Sequence, residues 1–161
     1  MNILIILLGI TEIGIGVKID FVGGPIPSVL FNAKLKDKVS VNFSAGGFPT
    51  RMGPIMRMVV NFRYLFKEKE KWSPYVQGGF GYTTIRFNEY GQQQKERTRY
   101  DVTGIHFNGG MTWSCLPRLD LSADFGLMYA PHCINPCVKE EFPDVIPIVP
   151  MIGLEGVYSI K

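Results

Sequence analysis

The residues able to do chemistry are few and widely spaced. His106 stands two positions before Asn108 in an alternating segment, on its polar side. Ser122 lies between Asp120 and Asp124, with one residue separating it from each carboxylate. On paper these groups make a Ser-His-acid set, which works only when all three come within hydrogen-bond reach. The same side chains equally serve as satisfied polar groups inside a packed interior, and that is the expectation for His106. The three cysteines are Cys115, Cys133 and Cys137, an odd number that excludes a fully paired framework within one chain. Cys133 and Cys137 share the stretch His132-Cys133-Ile134-Asn135-Pro136-Cys137. They would close a small disulfide in an oxidising compartment; three unpaired thiols are the alternative. Only His132 stands near them, too few ligands for a tetrahedral zinc site, so no metal is expected. Gly14-Ile15-Gly16 is not followed by a helical pattern and so is not a phosphate loop. Neither catalytic residues nor a cofactor are expected.

The elements that must position these residues are strands. A chain of 161 residues fits one domain, 1–161. Its 18 Gly, 11 Phe and 7 Tyr suit many strands joined by turns. A hydrophobic content of 46% is high for a soluble domain but too low for a bundle of membrane helices. The formal charge of +3 is modest and the basic residues are spread along the chain. No basic stripe marks a nucleic-acid footprint. The apolar run Ile3-Leu4-Ile5-Ile6-Leu7-Leu8 is too short for a transmembrane helix. Residues 1–11 are read as the remnant of an export signal, although a basic start and an A-x-A pattern are missing.

From Glu12 onward the chain alternates. Ile13, Ile15, Val17, Ile19 and Phe21 take one parity; Glu12, Gly14, Gly16, Lys18 and Asp20 take the other. Successive side chains of a strand point to opposite faces, so one face is apolar and one polar. The code recurs through Val29–Leu35, Val39–Gly46, Met56–Tyr64, Val76–Thr83, Gly104–Trp113, Leu119–Tyr129 and Ile152–Ile160. About eight strands result, each near the roughly 9 to 11 residues that a tilted membrane-spanning strand needs. The connections alternate in length. Lys36-Asp37-Lys38, the Lys67–Ser73 turn and Cys115–Arg118 are short, while the links after strands one, three, five and seven are longer. Short turns at one end and long loops at the other are the habit of outer-membrane barrels.

An eight-stranded barrel can also be soluble, with its apolar parity inward as in lipocalin-like carriers. The polar parity separates the two. It is built mainly from Gly, Ser, Thr and Asn, which suit a narrow filled lumen, not from the long charged residues of a soluble exterior. Its charges nearly balance: Lys18, Lys34, Arg57 and Arg63 against Glu12, Asp20, Asp120, Asp124 and Glu155. Buried charges require partners, so these residues and His106 are expected to form a polar network inside the lumen. Aromatics fall near both ends: Tyr64, Phe66, Trp72, Trp113 and Tyr158 by the short turns, and Phe21, Phe48, Phe87, Tyr100 and Tyr129 by the long loops. Two such belts are expected at the two interfaces of a membrane.

The segment Pro74-Tyr75-Val76-Gln77-Gly78-Gly79-Phe80-Gly81-Tyr82 resembles the fifth strand of small outer-membrane barrels of the OmpA and opacity-protein type. Thr103–Tyr129, with Gly109-Gly110 and the Pro117-Arg118 turn, is similar to their sixth-to-seventh hairpin. Gly153-Leu154-Glu155-Gly156-Val157-Tyr158 is similar to their last strand. The likeness spans about residues 12–160 as pattern more than motif. It departs at Ser159-Ile160-Lys161, which stands where an aromatic terminus is usual. The resemblance implies an all-β, closed, up-and-down antiparallel transmembrane barrel in a bacterial outer membrane, in contact with its lipid. Eight-stranded lipid A deacylases are barrels too, and a lipid-modifying hydrolase is the rival function. Their nucleophilic serine, two residues after the histidine, corresponds here to Asn108. The leading expectation is non-enzymatic: a structural or surface-interaction role through loops 88–97 and 131–144, exposed segments being where binding usually resides.

Overall fold

The structure, a computed structural model, describes residues 9–21, 24–36, 38–49, 53–67, 71–87, 98–130 and 148–160. Loops 88–97 and 131–144, Cys133, Cys137 and residues 1–8 of the N-terminal segment lie outside the described residues. The eight strands are β1 (Glu12–Phe21), β2 (Pro25–Lys36), β3 (Val39–Pro49), β4 (Pro54–Leu65), β5 (Trp72–Phe87), β6 (Thr98–Leu116), β7 (Leu119–Tyr129) and β8 (Ile148–Ile160). Each pairs antiparallel with its neighbours in chain order, and β1 closes on β8 to complete the barrel. Closure removes the exposed strand edges that would otherwise carry unpaired backbone groups, a requirement inside a bilayer.

The alternation resolves into an apolar outside and a filled inside. Ile13, Ile15, Val17, Ile19 and Phe21 all face outward and are exposed, whereas Lys18 and Asp20 between them are buried. The same holds on β4, where Met56, Met58, Val60, Phe62 and Tyr64 are exposed while Arg57, Asn61 and Arg63 are buried. In a soluble barrel this distribution would be inverted, so a lipocalin-like carrier with an apolar interior does not describe this chain.

Aromatic residues mark the short-turn end of the outer surface. Trp72 and Trp113, partners in the β5–β6 register, stack with ring centroids 5.6 Å apart. Tyr64 and Phe66 meet edge-on at 5.6 Å, and Tyr158 is exposed on β8. At the long-loop end Phe21 and Tyr129 face outward, while Phe48 is half-buried.

Two connections are tighter than the sequence suggests. β6 runs through Cys115 to Leu116, which pairs with Leu119 and leaves only Pro117-Arg118 as the turn. The extra residue is absorbed by a register shift at Cys115, whose thiol reaches the Leu119 carbonyl at 3.2 Å. Among the described residues Cys115 is a free thiol. Likewise β5 already begins at Trp72, shortening the turn before it. At the opposite end the β5–β6 ladder continues to the rung Phe87↔Thr98. Strands of 16 and 19 residues exceed the roughly 9 to 11 of a tilted span, and this hairpin extends past β4 and β7 on the long-loop side.

Candidate functional site

The lumen is the place where the chemistry-bearing residues converge. β1, β4 and β8 bring together two carboxylates and three cations. Lys18 Nζ lies 3.2 Å from Asp20 Oδ1 and 3.3 Å from Glu155 Oε1. Arg57 Nε approaches Asp20 Oδ2 at 3.4 Å, and Arg63 Nη2 reaches Glu155 Oε2 at 2.5 Å. Lys18 and Glu155 are direct register partners across the β1–β8 seam, so this ion pair sits on the closure of the barrel.

A neutral relay ties these charges to the third carboxylate. Arg63 donates through Nε and Nη2 to Gln77 Oε1, at 3.2 and 2.9 Å. Gln77 Nε2 donates in turn to Asp124 Oδ2 at 3.0 Å. Asp124 also accepts from the Tyr75 hydroxyl at 3.2 Å and from Asn108 Nδ2 at 2.5 Å. The Arg63 guanidinium lies over the Tyr75 ring, 4.0 Å from its centroid, a geometry in which the ring face attracts the cation. Among the described residues the deep lumen therefore holds three cations (Lys18, Arg57, Arg63) and three carboxylates (Asp20, Asp124, Glu155), all buried. A charge-neutral, interlinked set is what desolvated ions need.

Glycines make two of these contacts sterically feasible. Asn61 on β4 and His106 on β6 are not on adjacent strands; Gly79 of β5 is the register partner of both. A Cβ at Gly79 would stand 2.0 Å from the Val60 carbonyl oxygen and 2.5 Å from Asn61 Oδ1. Without it, His106 Nε2 donates across the middle strand to Asn61 Oδ1 at 2.5 Å. Gly110 plays the same part between Tyr75 and Asp124: its absent Cβ would meet the Tyr75 ring at 2.5 Å. Replacing Gly79 by Ala is expected to destabilise the barrel by about 1–3 kcal/mol through overpacking against backbone. Urea unfolding in lipid vesicles would measure this, and an unchanged midpoint would contradict the close approach.

The remaining charged residues expected in the lumen lie elsewhere. Glu12, Lys34 and Asp120 are only half-buried and line the short-turn mouth. There a cavity of about 300 Å³ opens, bordered by Arg63, Ser40, Thr112 and Arg118 as well. The reason is register. Glu12 pairs with Lys34 on the last rung of β1–β2, and Asp120 sits one residue into β7, so neither level reaches the deep interior. Asp120 there accepts from the Ser114 hydroxyl at 2.7 Å.

The long-loop half of the lumen is mixed, with Asp20, Arg57 and Thr83 buried beside apolar side chains. Val102, Met128, Ala130 and Met151 pack as a buried cluster with Val149 against it, and Ile26, Leu30 and Val59 are buried too. The lumen expected to be filled and polar thus also carries an apolar cluster towards its long-loop end. Arg57 marks the boundary, donating to the Thr83 hydroxyl at 3.2 Å and reaching Met151 Sδ at 3.8 Å. Sequence patterning missed Leu30, Val59, Met128, Met151 and Tyr75 as interior residues, although their strand parity was the signal.

Among the described residues no serine nucleophile is assembled from the expected set. His106 Nε2 is engaged by Asn61, and the Ser122 hydroxyl pairs with Thr112 at 2.9 Å. Asp120 is held by Ser114 and Asp124 by Tyr75, Gln77 and Asn108. The three parts of the paper triad thus have separate partners. Among the described residues no cluster of His, Cys, Asp and Glu is arranged to hold a metal ion.

No protein-family model matches the chain, and no curated protein matches it. Solved structures do. The N-terminal β-barrel domain of OprF from Pseudomonas aeruginosa superposes with a TM-score of 0.70 at 14% identity, covering 94% of this chain and 99% of that one. Ail, the attachment invasion locus protein of Yersinia pestis, gives 0.56 at 14% identity, with 92% and 97% covered. Ail has also been solved with the heparin analogue sucrose octasulfate. Neisserial surface protein A gives 0.52 at 12% identity, with 93% and 94% covered. At these identities the likeness is one of fold: this chain has the fold of an eight-stranded outer-membrane β-barrel.

Proposed function

We propose that this chain resides in a bacterial outer membrane as a plugged, non-enzymatic barrel that anchors its long loops, 88–97 and 131–144, for a structural or surface-interaction role. The observation that carries this is an apolar exterior around a lumen that holds the Lys18–Asp20–Glu155–Arg63 network and the Val102–Met128–Met151 cluster, which supports reading it as plugged. A solute entering from the short-turn mouth meets buried ion pairs, and one from the other side meets packed hydrocarbon. Eight strands enclose an interior that side chains fill, so the scaffold suits anchorage better than transport. The surface role draws support from Ail, a barrel of similar size that binds a heparin analogue.

In proteoliposomes, swelling in isotonic small sugars is expected to match protein-free vesicles, and clear sugar flux would overturn the plugged lumen. The folded barrel is expected to migrate differently on detergent gels before and after heating. A chain that stays soluble and monodisperse without detergent would sink the membrane assignment. Alanine at His106 is expected to leave membrane lipid profiles unchanged; an altered acyl pattern would revive the hydrolase.

A further inference from the structure

Some of the basic residues that look dispersed in the sequence are gathered by the fold at the short-turn end of the barrel. Lys36 closes β2, Lys38 precedes β3, Lys71 precedes β5 and Arg118 occupies the β6–β7 turn. These four come from three separate short turns, and all four are exposed. Lys34, Lys67 and Arg118 border the same mouth cavity, with Glu12 and Asp120 on its inner wall. The turns thus converge on one rim whose exposed outer positions at Lys36, Lys38, Lys71 and Arg118 are basic. We propose that this rim is a docking surface for the headgroups of anionic phospholipids in the leaflet on the short-turn side, and this rests on the membrane reading above.

The aromatic belt sets the depth that makes lipid the occupant. Lys71 is adjacent to Trp72, which stacks on Trp113 at the outer surface, and Arg118 follows Trp113 by five residues around the bulged turn. Tyr64 and Phe66 lead into the turn that ends at Lys71. Indole and phenol rings favour the interfacial level of a bilayer, and long basic side chains beside them extend to the phosphate layer. The positive groups therefore stand at headgroup height around the rim. A soluble polyanion would have to reach them through the lipid headgroups. Electrostatic attraction of Lys and Arg to anionic lipid surfaces is additive over several residues and is weakened by salt.

The chain's two tryptophans, Trp72 and Trp113, both report on this rim. The folded barrel would be reconstituted in phosphatidylcholine vesicles containing equal fractions of dibrominated phosphatidylglycerol or dibrominated phosphatidylcholine, and tryptophan quenching compared. Preferential quenching by the brominated anionic lipid is expected, corresponding to about two- to five-fold enrichment at the rim at low salt. It is expected to fall towards one in 0.5 M salt and in the triple variant K36Q/K71Q/R118Q. Equal quenching by both lipids overturns the proposal, as does a preference that survives the triple variant. Binding of soluble polyglutamate to the barrel in zwitterionic vesicles, without lipid preference, would assign the rim to a soluble polyanion instead. Folding into zwitterionic vesicles, read by heat-modifiable migration, tests the membrane reading separately. A barrel that folds there without lipid preference fails this proposal alone.

Discussion

Replacing Glu155 by Gln is expected to remove about 3–5 kcal/mol of stability, the largest loss of any single conservative change in the lumen. Glu155 touches two cations, Lys18 at 3.3 Å and Arg63 at 2.5 Å. Asp20 also touches two, Lys18 and Arg57, but at 3.2 and 3.4 Å, so the closest of these ion pairs belongs to Glu155. Its side chain is fully buried, and so is that of Lys18. The amide keeps the volume and removes the charge. Among the described residues the deep lumen then carries three cations against Asp20 and Asp124, and the excess positive charge is buried. Breaking a buried pair costs more than the pair itself contributes, because the surviving ion keeps its desolvation penalty. A second substitution checks this cause. Lys18→Met removes the excess positive charge, so in the double variant the two losses should be less than additive, with a coupling of about 1–3 kcal/mol. Urea titrations of all three variants in vesicles would measure it. Additive losses would mean that the Lys18–Glu155 contact across the closing seam is energetically idle.

How far such a network can be seen in advance depends on what alternation encodes. A period of two assigns each residue to a face, and it placed Lys18, Asp20, Arg57, Arg63, Asp124 and Glu155 on the side that the structure buries. Depth along the barrel is a matter of register, which periodicity leaves open. Glu12, Lys34 and Asp120 share the lumen parity yet stop at the mouth, because their rungs are the terminal ones. The apolar plug escaped for a related reason. Val102, Met128 and Met151 break the polar pattern one at a time on different strands, and only the fold brings them into one cluster. The Asn61–His106 contact needed more still: two strands on either side of a glycine, in a register that aligns all three.

The second large effect belongs to the outer face. Phe107 lies at the middle of β6 and is 65% exposed, with Ile105, Leu127 and Phe125 exposed around it. On a soluble barrel an arginine at so exposed a site would be nearly neutral, since surface substitutions usually stay within about 0.5 kcal/mol. In a bilayer the same guanidinium must enter hydrocarbon near the midplane, well away from the Trp72–Trp113 belt to which it would otherwise extend. Phe107→Arg is therefore expected to destabilise the folded barrel by about 2–4 kcal/mol in vesicles. Leu116→Arg, on the same strand but at the short-turn rim, is expected to cost no more than about 1 kcal/mol, as charges near the interface do. Reversible urea unfolding in vesicles compares the two directly. The depth dependence is the diagnostic part, because general damage to β6 would penalise both positions alike. Equal costs at 107 and 116, or none at either, would deny that this face spans lipid and would separate the barrel's shape from its proposed place in a membrane.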